Sequence, residues 1–111
     1  MSENVETLKG VPFHLADQVD YADGSVVSKI LLKKDTGNIT LFSFDSDQGL
    51  SEHTAPFDAV VQILDGRAEI TIGGETHSVK VGEMLIMPAN VPHALHAPSR
   101  FKMLLVMIRG K

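Results

Sequence analysis

Apolar residues in this chain recur at every second position, and each such run is cut short by a turn dipeptide or a proline. Arg67-Ala68-Glu69-Ile70-Thr71-Ile72 alternates polar and apolar, the pattern of a strand with one face buried. Gly73-Gly74 then offers a tight turn into Glu75 to Val81, where Val79 and Val81 would share a face. Asp65-Gly66 is an equally good hairpin signal between Ala59–Leu64 and Arg67–Ile72. Upstream, Val26 to Leu32 and Ile39 to Phe44 are β-rich runs on either side of the polar turn segment Lys33 to Asn38. Downstream, Met84–Met87, His93–Ala97 and Lys102–Ile108 are separated by Pro88, Pro92 and Pro98. No stretch carries a capped apolar face with helical period. The pattern predicts an all-β fold of about eight to ten short strands, a sandwich or barrel.

Two runs break the alternation. Val60 to Leu64 and Met103 to Ile108 are apolar on both faces, whereas a small barrel can bury only one face of each strand. Two coverings are open: the segment Val11 to Tyr21, or a second copy of the chain. The 43% apolar share is better explained by a homodimer than by one small core, so a homodimer is expected.

Charge removes other partners. Ten Lys and Arg against fourteen Asp and Glu give a net charge of −4, and Lys33-Lys34 is the only basic doublet. No basic patch is available for a phosphate backbone, so no nucleic acid is expected. The longest apolar run, Met103 to Ile108, is six residues, far short of the roughly 20 that span a bilayer. Met1 to Gly10 carries Glu3, Glu6 and Lys9 and has no secretory core. A cytoplasmic protein without membrane contact is expected.

With no cysteine, disulfides, thiolate nucleophiles and Cys-type zinc sites are absent, which leaves five histidines. His14 and His77 read as surface residues. Around His53, Gly49 precedes by four positions, Ala55 and Ala59 follow, and Gly66 closes the run. Around His93, Gly82, Pro88 and Asn90 precede and Ala97 follows.

These two runs resemble the two sequence motifs of the cupin superfamily, G-x5-H-x-H-x3,4-E-x6-G and G-x5-P-x-G-x2-H-x3-N. His53 and Gly66 fall in register in the first, and Gly82, Pro88 and His93 in the second. Ala55 stands where the second His would be, Ala59 where the Glu would be, Asn90 at the second Gly and Ala97 at the final Asn. Asn is the best substitute for Gly where a positive φ is needed. The resemblance covers about residues 41 to 108 and implies a cupin-type double-stranded β-helix, a jelly-roll barrel formed by one domain over residues 1 to 111. Its motifs would lie at about 49 to 66 and 82 to 97, and residues 1 to 24 would pack on the barrel or on a partner subunit.

Metal-binding members of the superfamily hold the ion with two His and a Glu of the first motif and the His of the second. The resemblance therefore implies His53 and His93 as metal positions for a divalent transition metal such as iron, manganese, nickel or zinc. Ala55 and Ala59 occupy the other two ligand positions, and their small side chains would leave an apolar cavity beside two histidines. A further ligand could come from Asp58, if a bulge near Pro56 turned it inward, or from Gln62 or His96, each with the same problem of facing. Otherwise Asp58 is a rim carboxylate capping backbone N–H groups. Met84, Met87, Met103 and Met107 would line the barrel, with Phe42, Phe44 and Phe57 adding to its wall. Pocket residues are thus expected at Phe42, Phe57, Gln62, Met87 and Met103.

Three functions follow. One is a metal-assisted enzyme of oxygenase, isomerase, decarboxylase or cyclase type on a small organic molecule. The second is a non-catalytic small-molecule sensor that has lost its metal. The third is a metal-free enzyme with His53 or His93 as general base and Asp58 as its partner.

Overall fold

The computed structural model describes residues 5 to 109. Nine strands run in chain order: β1 Val26–Lys34, β2 Gly37–Phe44, β3 Gly49–His53, β4 Asp58–Asp65, β5 Arg67–Ile72, β6 Glu75–Lys80, β7 Met84–Met87, β8 His93–His96 and β9 Phe101–Ile108. Two short 3-10 turns, Val5–Leu8 and Leu15–Gln18, precede them. No α-helix is present among the described residues, so none is long and apolar enough to cross a membrane. The strands form two antiparallel sheets, ordered β1-β2-β9-β4-β7 and β3-β8-β5-β6. Together these make the double-stranded β-helix.

Alternation decides what faces inward. On β4, Ala59, Val61 and Ile63 are buried while Val60, Gln62 and Leu64 are only half-buried. On β9 the inner row is Phe101, Met103 and Leu105. These meet Ala68, Ile70, Val79 and Leu95 of the other sheet in one apolar core. Phe44 and Phe101 stack at its closed end with ring centres 4.4 Å apart, and neither is exposed at all.

Three local features differ from the sequence reading. The segment Lys33 to Asn38 is mostly strand, because β1 and β2 pair out to Lys34 and Gly37 and leave only Asp35-Thr36 to turn. β3 carries almost no apolar pattern and gave no periodic signal; it exists because β8 pairs with it. Its Gly49 approaches so closely that a Cβ there would stand 2.2 Å from the Leu95 carbonyl oxygen. Val81 lies in the turn after β6 and is exposed, whereas Val79 is buried.

Residues 5 to 24 cover much of the outer face of the five-stranded sheet. Leu41 is buried beneath this segment and Val19 within it, apart from the barrel core. Leu8, Phe13 and Leu15 share a groove with Ile39 and Leu104. Polar ties fasten the segment: the Ser43 hydroxyl donates to the Asp20 carbonyl at 2.8 Å and Lys102 Nζ to the Ala16 carbonyl at 2.6 Å. Arg100 bridges Asp23 and Asp45 at 2.6 and 2.7 Å, and the Tyr21 hydroxyl donates to Asp65. Coverage stops short of β7, where Met84 and Ile86 remain 59% and 58% exposed.

Asp45 is held down to about 2, first by the Gly24 N–H and then by Arg100. A carboxyl depressed on folding stabilises the fold above its ordinary value of 3.8 and loses that contribution as the pH falls toward 2. Arg100→Ala is expected to raise the Asp45 titration toward 3.8 in a carboxyl carbon-13 NMR titration, and to speed hydrogen exchange at the Gly24 amide. An unchanged Asp45 titration would contradict this account.

Candidate functional site

Two residues 40 positions apart meet because β3 and β8 are neighbours. His53, the last residue of β3, is the cross-strand partner of His93, the first of β8, beyond a register shift between Leu50 and His53. Residues opposite each other on antiparallel strands project to the same face. The two rings stand edge-on, centres 4.3 Å apart and planes at 69°. Their Nε2 atoms are 3.1 Å apart.

Backbone carbonyls fix which nitrogens carry hydrogen. His53 Nδ1 lies 2.8 Å from the Ser51 carbonyl oxygen and His93 Nδ1 lies 3.3 Å from that of Val91. A carbonyl oxygen only accepts, so each Nδ1 must donate. With both Nδ1 atoms donating, the neutral pair has Nε2 lone pairs facing each other; in the other tautomer one Nε2–H spans the 3.1 Å contact. A protonated pair would satisfy the contact, but burial opposes charge here. His93 is only 5% exposed, and its pKa lies below the usual 6.5, chiefly through loss of solvation and with a further push from His53. The pair therefore offers two acceptors and waits for a hydrogen donor or a cation.

The imidazoles face a cavity of about 60 Å³ at one end of the barrel. Ala55 and Ala59 border it, as do Phe57, Met87 and Met103. Leu50, Leu95, Leu105 and Met107 complete an apolar wall in which the histidines are the only polar residues. A cavity of about 150 Å³ holds benzene, so this one takes only a few heavy atoms unless its three flexible methionines yield. A larger groove of about 650 Å³ beside Asp17, Gln18 and Lys29 is open and has no converging donor set.

The other named residues lie elsewhere. Asp58 is turned outward: its carboxylate accepts the Ala89 N–H at 2.8 Å, tying the start of β4 to the turn before β8. No bulge near Pro56 reverses it: the register shifts fall between Leu50 and His53 on β3 and between Ile63 and Asp65 at the far end of β4. Asn90 in that turn has φ +66° and donates its N–H to the Ala55 carbonyl at 2.8 Å, so the two loops that frame the cavity are cross-linked twice. Gln62 follows Val60 onto the outer face of β4 and does not line the cavity. Phe42 faces inward but packs beside Phe44, ring centres 6.0 Å apart, outside the cavity wall. Met84 sits on the outer face, one residue out of phase with Leu85 and Met87. His96 points outward to Glu69 at 3.0 Å, His14 is exposed, and His77 is half-buried on the side of Val79.

Two imidazole donors are half of what a metal site takes. Nitrogens each about 2.1 Å from one cation stand about 3.0 Å apart at a right angle and about 3.4 Å apart at the tetrahedral angle, so a separation of 3.1 Å suits two ligands of one ion. Protein sites use three or four ligands, however, and Ala55 and Ala59 bring none. No group of three His, Asp or Glu side chains that could hold a metal converges among the described residues. The residues present do not complete a resident metal site; water or a chelating molecule would have to fill it.

Comparison with known proteins agrees with this architecture. A family model described as "Cupin domain" matches residues 41–109. A conserved protein of unknown function from Streptococcus pyogenes superimposes with a TM-score of 0.88 at 39% identity, over 92% of this chain and 90% of that one. A cupin 2 conserved barrel domain protein from Leptotrichia buccalis gives 0.85 at 41% identity over 87% of this chain, which spans only 47% of that protein. An uncharacterized protein from Streptomyces coelicolor is 32% identical over 65 residues, and the matched region spans 62% of its length.

A base whose pKa falls on folding destabilises the fold as the solution turns acid, because the unfolded chain takes the proton more readily. The His93 contribution is whole above pH 6.5 and is lost progressively below it. Chemical denaturation between pH 8 and 5 should show this slope, and His93→Gln should flatten it. Nitrogen-15 NMR at pH 8 should find both rings protonated at Nδ1; an Nε2–H form of either ring would overturn the tautomer assignment.

Proposed function

The chain belongs to the cupin-domain family, and from that membership we propose that its barrel binds a small molecule at the His53–His93 pair. The observation that carries this reading is the facing of two Nε2 lone pairs at 3.1 Å, with both Nδ1 atoms committed to carbonyls, at the edge of an apolar cavity. Of the pair only His93 is buried, and an acceptor left unpaired there costs about 1 to 3 kcal/mol. A ligand with an O–H or N–H group recovers part of that cost, while its aliphatic body displaces water from Met87, Met103 and Met107. Asp58 is engaged with the Ala89 N–H and cannot orient either ring, which favours binding over an acid–base relay.

A divalent transition metal is the second reading, favoured by the same 3.1 Å separation. The ion would be shared between the pair and a chelating molecule that supplies the donors Ala55 and Ala59 lack.

Methionine-methyl NMR separates the outcomes. Titration with n-butanol should shift the Met87, Met103 and Met107 signals and leave Met84 in place. His53→Ala, at an exposed position, should weaken binding about fivefold, the effect of one hydrogen bond, with the thermal midpoint little changed. Zinc titration should give a defined stoichiometry only if the second reading holds. Methionine signals indifferent to every probe would defeat both readings.

For assembly, we propose a homodimer through the uncovered part of the outer sheet face. β7 is a sheet edge, and Ile86, Val60, Val106 and Ile39 form an apolar row across four strands next to it. Edge and row together suit isologous contact about a twofold axis. Light scattering at micromolar concentration should give twice the 12.0 kDa chain mass, and Met84→Lys with Ile86→Lys should return it to one. A monomeric mass for the unaltered chain would refute the dimer.

A further inference from the structure

The charge of the ligand can be read from the cavity rim. The chain has three arginines and a net charge of −4. Arg67 pairs with Glu69, and Arg100 with Asp23 and Asp45. Arg109 has no carboxylate within ion-pair distance among the described residues. Its guanidinium lies over the Phe57 ring, 5.3 Å from the ring centre, and that ring is part of the cavity wall. Its backbone is held in place by an N–H donated to the Thr36 carbonyl at 2.7 Å. Two acids lie near it in register and neither forms an ion pair with it: Asp35, next to Thr36, and Asp58, opposite Ile108 on the paired strands, whose carboxylate accepts the Ala89 N–H. No acidic residue lines the cavity.

We infer that the cavity takes a small organic acid. A hydroxyl or amino group meets the two Nε2 atoms, a short aliphatic body lies among the methionines, and the carboxylate pairs with Arg109. The cavity volume of about 60 Å³ limits the enclosed body to roughly three carbons, so the carboxylate sits at the rim. An arginine already seated on an aromatic ring pairs with a carboxylate without first leaving another acid. This inference rests on the reading of the cavity as a binding site.

The test uses 4-hydroxybutyrate and its uncharged amide, 4-hydroxybutyramide, at pH 7.5, followed by the Met87, Met103 and Met107 methyl signals. The acid should bind about fivefold tighter than the amide, the value of one exposed charge pair. Arg109→Gln should abolish that preference without weakening the amide. Equal affinities in the unaltered protein would overturn the acid and leave the binding site standing. A preference that survives Arg109→Gln would overturn the role of Arg109. If neither compound nor n-butanol shifts a cavity methionine, the binding site itself is refuted.

Discussion

β9 lies between β2 and β4 and pairs with both along nearly its whole length. Its eight residues alternate, so Phe101, Met103 and Leu105 enter the core while Leu104 and Val106 face outward. A slip of one position would exchange the two rows and expose every core side chain of the strand. The two neighbouring strands are bound by the same condition, since Ile63 must meet Met103 and Phe44 must meet Phe101. Once that register is set, the cavity wall follows. Met103, Leu105 and Met107 fall on one side of it and Ala59 and Met87 come across from β4 and β7.

The outer row of the same strand creates a second requirement, for it is apolar and cannot be left to water. Residues 5 to 24 meet it at Leu104, beside Leu8, Phe13 and Leu15, while Ile108 stays exposed. Ser43, Lys102 and Arg100 each reach from the barrel to this segment. Ser43 and Lys102 lie on the same outer face as Leu41 and Leu104 and are cross-strand partners. The two-faced apolar runs thus have a covering within the chain, and Met84 and Ile86 mark where it ends.

The site is defined by a hydrogen-bond shortage. Two neutral imidazoles have two N–H groups, and the carbonyls of Ser51 and Val91 take both. The remaining pair of nitrogens meets at 3.1 Å, in a wall that contains no carboxylate. Alanine at 55 and 59 has a double effect, removing two donors and widening the space in front of the histidines. Beside this wall the Arg109 guanidinium lies over the Phe57 ring.

Alternation made the strand at 67–72 legible in the sequence, because period two is a local property that burial of one face imposes, and apolar runs bounded by turn residues and prolines marked those at 59–64, 84–87 and 102–108. The spacing around His53 and His93 likewise pointed to the barrel and to the two residues that meet in it. β3 was invisible, since its five residues have no apolar face and form a strand only when β8 supplies hydrogen bonds. Facing beyond the strand ends was equally closed to sequence: Asp58, Gln62 and Phe42 could be placed only after the bulge was found on β3 rather than near Pro56. Arg109 carried no signal at all, because its place over the Phe57 ring is set by tertiary structure. What the sequence by itself determined is the all-β class, the core rows and the histidine positions, all of which follow from residue type and spacing. Which ring nitrogens meet, which N–H the Asp58 carboxylate accepts and which ring the Arg109 guanidinium covers were decided by tertiary structure alone, since each depends on atoms from segments far apart in the chain.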